Sequence, residues 1–172
     1  MKDDLATKSR LVIDVAMPCA AWRRALPGIV RLARETARAA VAAADVASGA
    51  AEMSLVLSDD AGIRVLNARW RGRDAATNVL SFPAGGNDVA GAPRLLGDIV
   101  LAFETISREA SAQRKPLAHH VRHLIVHGVL HLLGRDHERA REAERMESLE
   151  RRILAGFGIP DPYCAGSAAD HG

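Results

Sequence analysis

His127, His131 and His137 stand at offsets of zero, four and ten in the stretch HGVLHLLGRDH, residues 127–137. A spacing of four is about one helical turn, so the first two imidazoles project from the same face of a helix. Gly134 follows three residues after His131, where a helix needs a left-handed residue to stop and turn back. The chain can then fold round so that His137 approaches the same point. Three neutral imidazoles converging on one spot make a zinc site. Three protein ligands leave the fourth position open to water, which marks a catalytic zinc and not a structural one.

A histidine pair one turn apart is a common surface feature, and here the row is longer. His119, His123, His127 and His131 fall on one ladder, with His120 beside it. Only the 127/131 pair is followed by a third histidine behind a helix-ending glycine. The spacing equals that of the zinc-protease motif HExxHxxGxxH at every position but one, because Gly128 stands where those proteases carry the general-base Glu. Peptide hydrolysis wants that carboxylate. A phosphodiester manages with less: its own oxygens can take protons while cations stabilise the charge building in the transition state. Arg71, between Arg69 and Arg73 on what reads as a loop around Gly72, offers a guanidinium that could fork onto phosphate. An ordinary exposed arginine is the alternative. A missing base beside an arginine loop tilts the site towards phosphoryl chemistry.

HGVLHLLGRDH is also similar to the signature HGxLHLxGyDH of the YbeY family, bacterial metal-dependent endoribonucleases of ribosomal RNA maturation. LNARWRGRDAATNVLSFP at 66–83, LLGDIVLA at 95–102, EAERMESLERRIL at 142–154 and DPY at 161–163 match that family in the same order. The resemblance runs from about Ser54 to Tyr163. It implies one zinc ion held by His127, His131 and His137, with His127 and Arg71 at the reacting centre. It further implies a single-strand endoribonuclease that matures the 3′ end of small-subunit rRNA and acts in ribosome quality control. Its partners would be single-stranded RNA or rRNA precursors, and the ribosome or its small-subunit proteins. Thr77 and Ser81 would line the cleft or satisfy backbone groups at a strand edge. Asp136 would orient a ligand imidazole or cap the turn. His123, one turn before His127, would relay a proton or simply hydrogen-bond. Arg135 replaces the family's usual Tyr, removing an aromatic that could stack on a base. Two other readings stay open: a metal hydrolase of another substrate such as a peptide, and a ribosome-assembly protein with a structural metal.

The elements that must position these residues follow from pattern. Apolar runs at 11–16, 53–58, 78–82 and 95–103 read as strands. A helical stripe spans about 20–44, with Pro27 kinking or restarting it. Asp59-Asp60 caps a helix to about Arg69, with Ile63, Leu66 and Trp70 inward. Residues 84–94 form a glycine-rich loop and 104–115 a helix. Pro116 sits at the first position of the helix that carries the histidines, which is buried through Leu117, Val121, Leu124, Ile125, Leu132 and Leu133. The last helix, 138–155, turns Met146, Leu149, Ile153 and Leu154 inward and its charges outward. Asp98 reads as a strand-end turn or a buried polar contact. The expected fold is α/β (α+β): one four-stranded, mostly parallel mixed sheet packed with about five helices, with a zincin-like metal helix.

Composition sets the remaining bounds. The 172 residues suit one hydrolase domain over 1–164, with a small, polar tail at 165–172 expected to be disordered. Hydrophobic residues are 48% and aromatics 3%, so Ala, Leu and Val must fill the core. The net charge of +2 decides nothing about nucleic acid; Lys2, Lys8 and Lys115 are the only lysines among 23 basic residues. Cys19 and Cys164 have no metal-like spacing. The opening MKDDLATKSR lacks the apolar run of a signal peptide, and no stretch suits a membrane span, so a cytoplasmic protein is expected.

Overall fold

The computed structural model describes residues 10–44, 49–86, 89–134 and 140–164. Its sheet contains β1 (Leu11–Ala16), β2 (Ala51–Ser58), β3 (Val79–Pro83) and β4 (Arg94–Ala102) in the order β1-β2-β4-β3. β1, β2 and β4 run parallel, and β3 closes one edge antiparallel to β4. The mostly parallel mixed sheet is the one the apolar runs imply. Ile99, Val100, Leu101 and Ala102 are all buried, because this end of β4 is covered on both faces. On β1 only Ile13 is fully buried and its neighbours Val12 and Asp14 are exposed, as in a strand covered on one face.

Six helices pack on the sheet among the described residues: α1 (Ala21–Ala25), α2 (Ile29–Ala43), α3 (Asp60–Arg71), α4 (Phe103–Ala112), α5 (Leu117–Leu132) and α6 (Ala140–Ala155). The expected count of about five rises because Pro27 restarts the first helix. A proline pushes the preceding residue out of the helical region, and Leu26 has φ −135° and ψ 88°. Helix α5 is held in the main core by Val121, Ile125, Val126, Val129 and Leu130, against Ile99 and Leu101 of the sheet. Ala33, Ala37 and Ala40 of α2 belong to the same core, where small side chains let helices approach closely. Pro116 is the residue before α5, not its first member. Gly134 has φ +80°, the left-handed turn expected behind the histidine helix.

α3 covers the opposite face. Ile63 meets Leu80, Val100 and Ala102, with Leu66 and Phe82 packed alongside. Asp59 caps it by accepting the Gly62 N–H at 2.8 Å. The helix continues to Arg71 and stops at Gly72, whose φ of +66° suits a glycine. This corrects two expectations: Arg69 and Arg71 are helical, with only Arg73 beyond the end, and Trp70 is 63% exposed, not inward. Packing on the sheet ends at Leu66, so the last turn overhangs the edge strand. Asn67 takes the buried position instead, donating its amide to the Ala75 carbonyl at 2.8 Å.

Asp98 is neither at a strand end nor buried. It lies within β4 on the open face, opposite Ser54 of β2, and accepts the Ser54 hydroxyl. Among the described residues no helix is long and apolar enough to cross a membrane.

Candidate functional site

α5 presents His123, His127 and His131 along one face. The Nε2 atoms of His127 and His131 lie 2.9 Å apart, with ring centroids separated by 4.5 Å. On its other side, His127 Nδ1 is 2.7 Å from Glu150 Oε1. A carboxylate only accepts, so this contact puts the proton on Nδ1 and the lone pair on Nε2. Glu150 Oε2 is 3.3 Å from His123 Nε2 and accepts the Tyr163 hydroxyl. Tyr163 packs edge-on against His123, 5.6 Å between centroids.

Glu150 has no solvent exposure, whereas the His127 side chain is 26% exposed. Burial pushes the Glu150 pKa upward, but the hydrogen bonds it accepts from His123, His127 and the Tyr163 hydroxyl outweigh it and hold the carboxyl well below its usual range. Burial, and then the Glu150 charge, pushes the Tyr163 phenol far above its ordinary value. Glu150 is therefore an anion and Tyr163 a neutral donor. Both depart from the sequence expectation, in which α6 turns its charges outward and Tyr163 has no role in the site. The signal was present, since Glu150 stands four residues after Met146 and four before Leu154, on the buried stripe.

The sheet edge supplies the second half of the site. Asn78 and Ala84 bond to β4, which leaves the Ser81 backbone pointing away from the sheet by strand alternation. Arg71, at the end of α3, donates from Nη2 to that outward carbonyl at 3.0 Å. Its guanidinium also sits 5.9 Å from the centre of the Phe82 ring. The Ser81 hydroxyl donates to the Gly128 carbonyl of α5 at 3.4 Å. Arg71, Ser81 and the residue after His127 thus form one chain of contacts. Thr77 lies two residues ahead of β3 and is half-buried.

The remaining histidines part company. His119 lies eight residues before His127 on α5, about 12 Å along the axis. His120 is buried, with Nε2 3.6 Å from Glu109 Oε2 where α4 meets α5. His137 and Asp136, expected as a ligand and its neighbour, lie outside the described residues, as do Arg135 and the tail 165–172.

Among the described residues no group of three donors could hold a metal ion, and the expected third ligand lies outside them. Two tetrahedral ligands with bonds near 2.1 Å would stand about 3.4 Å apart, against the 2.9 Å observed between the described pair of nitrogens. A carboxylate behind a ligating imidazole is the usual means of fixing its tautomer and orientation.

Known proteins are similar to this chain over most of its length. The sequence model of the family Endoribonuclease YbeY matches residues 23–158. A relative from Nitrobacter hamburgensis, named endoribonuclease YbeY, is 51% identical over 156 residues, covering 87% of this chain and 80% of its own. Another of that name, from Rhodopseudomonas palustris, is 56% identical over 135 residues, covering 77% and 78%. A third, from Paramagnetospirillum magneticum, is 50% identical over 155 residues, covering 88% and 94%. The fold resembles the solution structure of TM1509 from Thermotoga maritima, with TM-score 0.52 and 20% identity over 88% of this chain and 99% of that one. With half or more of the aligned residues identical to these relatives over most of its length, the chain belongs to the Endoribonuclease YbeY family.

Proposed function

We propose that this chain is a zinc-dependent endoribonuclease that cleaves single-stranded rRNA precursors at the small-subunit 3′ end. In the cytoplasm it would act with the ribosome or its small-subunit proteins and serve ribosome quality control. RNA as substrate follows from the family. The observation that carries the metal is the Nε2 pair of His127 and His131, 2.9 Å apart and backed by Glu150. His127 and His131 would hold the ion together with His137. When bound, zinc supplies Lewis acidity and lowers the pKa of water to about 7.

The chain's own groups do the rest. Glu150 keeps the His127 Nδ1 proton in place and the ring aligned. Tyr163 and His123 hold Glu150 in turn. Arg71, anchored on the outward Ser81 carbonyl, places a delocalised cation at the sheet edge beside α5, where it would neutralise charge building on the phosphate oxygens. A protease base would be crowded here. A Cβ at Gly128 would lie 3.1 Å from both Ile99 Cδ1 and Ser81 Oγ, so a glutamate there needs those side chains to give way.

The test is a panel of single-stranded RNA, duplex RNA and casein, each with and without chelator, alongside elemental analysis and Arg71 variants. Chelator-sensitive cleavage of single-stranded RNA alone is expected, with zinc in the purified protein. Arg71→Ala should slow cleavage about a hundredfold to a thousandfold with metal retained, and Arg71→Lys should recover little because an ammonium cannot fork. Casein cleavage without RNA cleavage would reverse the reading.

A further inference from the structure

The last turn of α3 carries an aromatic that the fold does not use. The protein has two tryptophans. Trp22 is fully buried, donates to the Ser58 carbonyl at 2.8 Å and packs edge-on against Phe103. Trp70 is 63% exposed. In a chain whose core must be filled largely by alanine, leucine and valine, an indole left in water is the costlier use of that side chain.

Its surroundings indicate what would cover it. The Arg69 guanidinium lies over the indole, 5.2 Å from the ring centre. Arg71 follows, reaching the sheet edge beside the histidine helix through Ser81. Arg73 is exposed just past Gly72. Asp74, the nearby acid, is bridged to Arg64 at 2.7 Å. Among the described residues, Arg69, Arg71 and Arg73 have no carboxylate partner. An exposed indole with one guanidinium over it, and two more arginines without a carboxylate partner within three residues along the chain, is complementary to a ligand that combines planar faces with repeated negative charge. Unpaired RNA has both. A duplex buries its base faces, so it offers the charge without the stack.

We propose that Trp70 is the base-stacking platform of the RNA site, gripping a nucleotide neighbouring the one whose phosphate meets Arg71. The proposal rests on the RNA-cleaving reading above and adds how the strand is held. Arg69 backs the indole and Arg73 extends the phosphate track past the helix end. The platform is sequence-tolerant, because every base has a face to stack.

Intrinsic fluorescence separates the two tryptophans, since a stacked base quenches the exposed indole and leaves Trp22 untouched. The full-length protein is titrated with a single-stranded oligoribonucleotide protected by phosphorothioate linkages, and with its duplex. Quenching by the single strand and little by the duplex is expected. In cleavage assays Trp70→Ala should raise KM for single-stranded RNA about tenfold, with the effect falling on KM and not on kcat. Trp70→Tyr should restore most of the loss, and both variants should melt like the parent, since the side chain packs against no core. Cleavage by Trp70→Ala at the parent's KM, with no quenching in the parent, would overturn the platform and leave the nuclease reading intact; the exposed indole would then face a protein. A fall in kcat at unchanged KM would overturn it too. If the parent neither binds nor cuts RNA, both readings fall.

Discussion

A carboxylate sealed from solvent destabilises a fold unless donors surround it, and Glu150 has His123, His127 and Tyr163 around it. That arrangement fixes the His127 tautomer and, through it, the geometry of the Nε2 pair. Glu150→Gln keeps the shape and an acceptor for Nδ1, but loses the charge and turns an amide N–H₂ towards groups that now donate. Zinc affinity should fall about 10- to 100-fold while the fold remains, as read by competition with a chromophoric chelator. Unchanged affinity would remove Glu150 from any role in holding the ligand set. The same residue marks where sequence reading ran short. Charges on α6 were assigned to solvent by type, yet position places Glu150 among Met146, Ile153 and Leu154. Trp70 failed in the other direction, because its spacing from Ile63 and Leu66 suits the core but the sheet ends before it. Residue type and helical phase each mislead where an element passes the edge of what it packs on.

At the scale of elements, α5 and the edge strand are fitted to each other through Gly128. The glycine is buried and its missing side chain lets the Ser81 hydroxyl and Ile99 approach the helix. Gly128→Glu would therefore not convert the site to a zinc protease. It should destabilise the fold by about 3–5 kcal/mol by pressing an unpaired carboxylate between helix and sheet, measured by chemical denaturation, with casein left uncut. A stable variant that cleaves casein would contradict the packing argument. The elements themselves were largely legible. Apolar runs of strand length and a histidine helix with its own apolar stripe carry their periods in the sequence, and Gly134 marks the turn behind them. Two features were open to a finer reading. The short 84–93 connection is too brief for the crossover that parallel strands need, which dictates the antiparallel β3–β4 pair. Pro27 forces Leu26 out of helix, which divides α1 from α2. The boundary at Arg71 turned on Gly72, a C-cap that in sequence looks like any loop glycine.

For the whole molecule, the question is whether the metal is part of the fold or a passenger on it. The main core runs from Trp22 and Ile29 through Leu55, Leu57 and Leu101 to Ile125, Leu130 and Leu154, all essentially sealed from solvent without help from the histidines. His127 and His131 are only half-buried on α5. A protein assembled this way should keep its structure when the ion is removed. Chelation is expected to abolish RNA cleavage while the far-ultraviolet dichroism stays unchanged and thermal unfolding stays cooperative. The stability lost should be only the linkage of ligand binding, about 2.7 kcal/mol when free zinc stands at a hundred times its dissociation constant. Adding zinc back should restore cleavage in proportion to occupancy. A structural metal behaves otherwise, since its binding energy is folding energy and the stripped chain loses its cooperative transition. That outcome would favour a ribosome-assembly protein over an enzyme, and melting curves with and without chelator, taken beside the cleavage assay, separate the two.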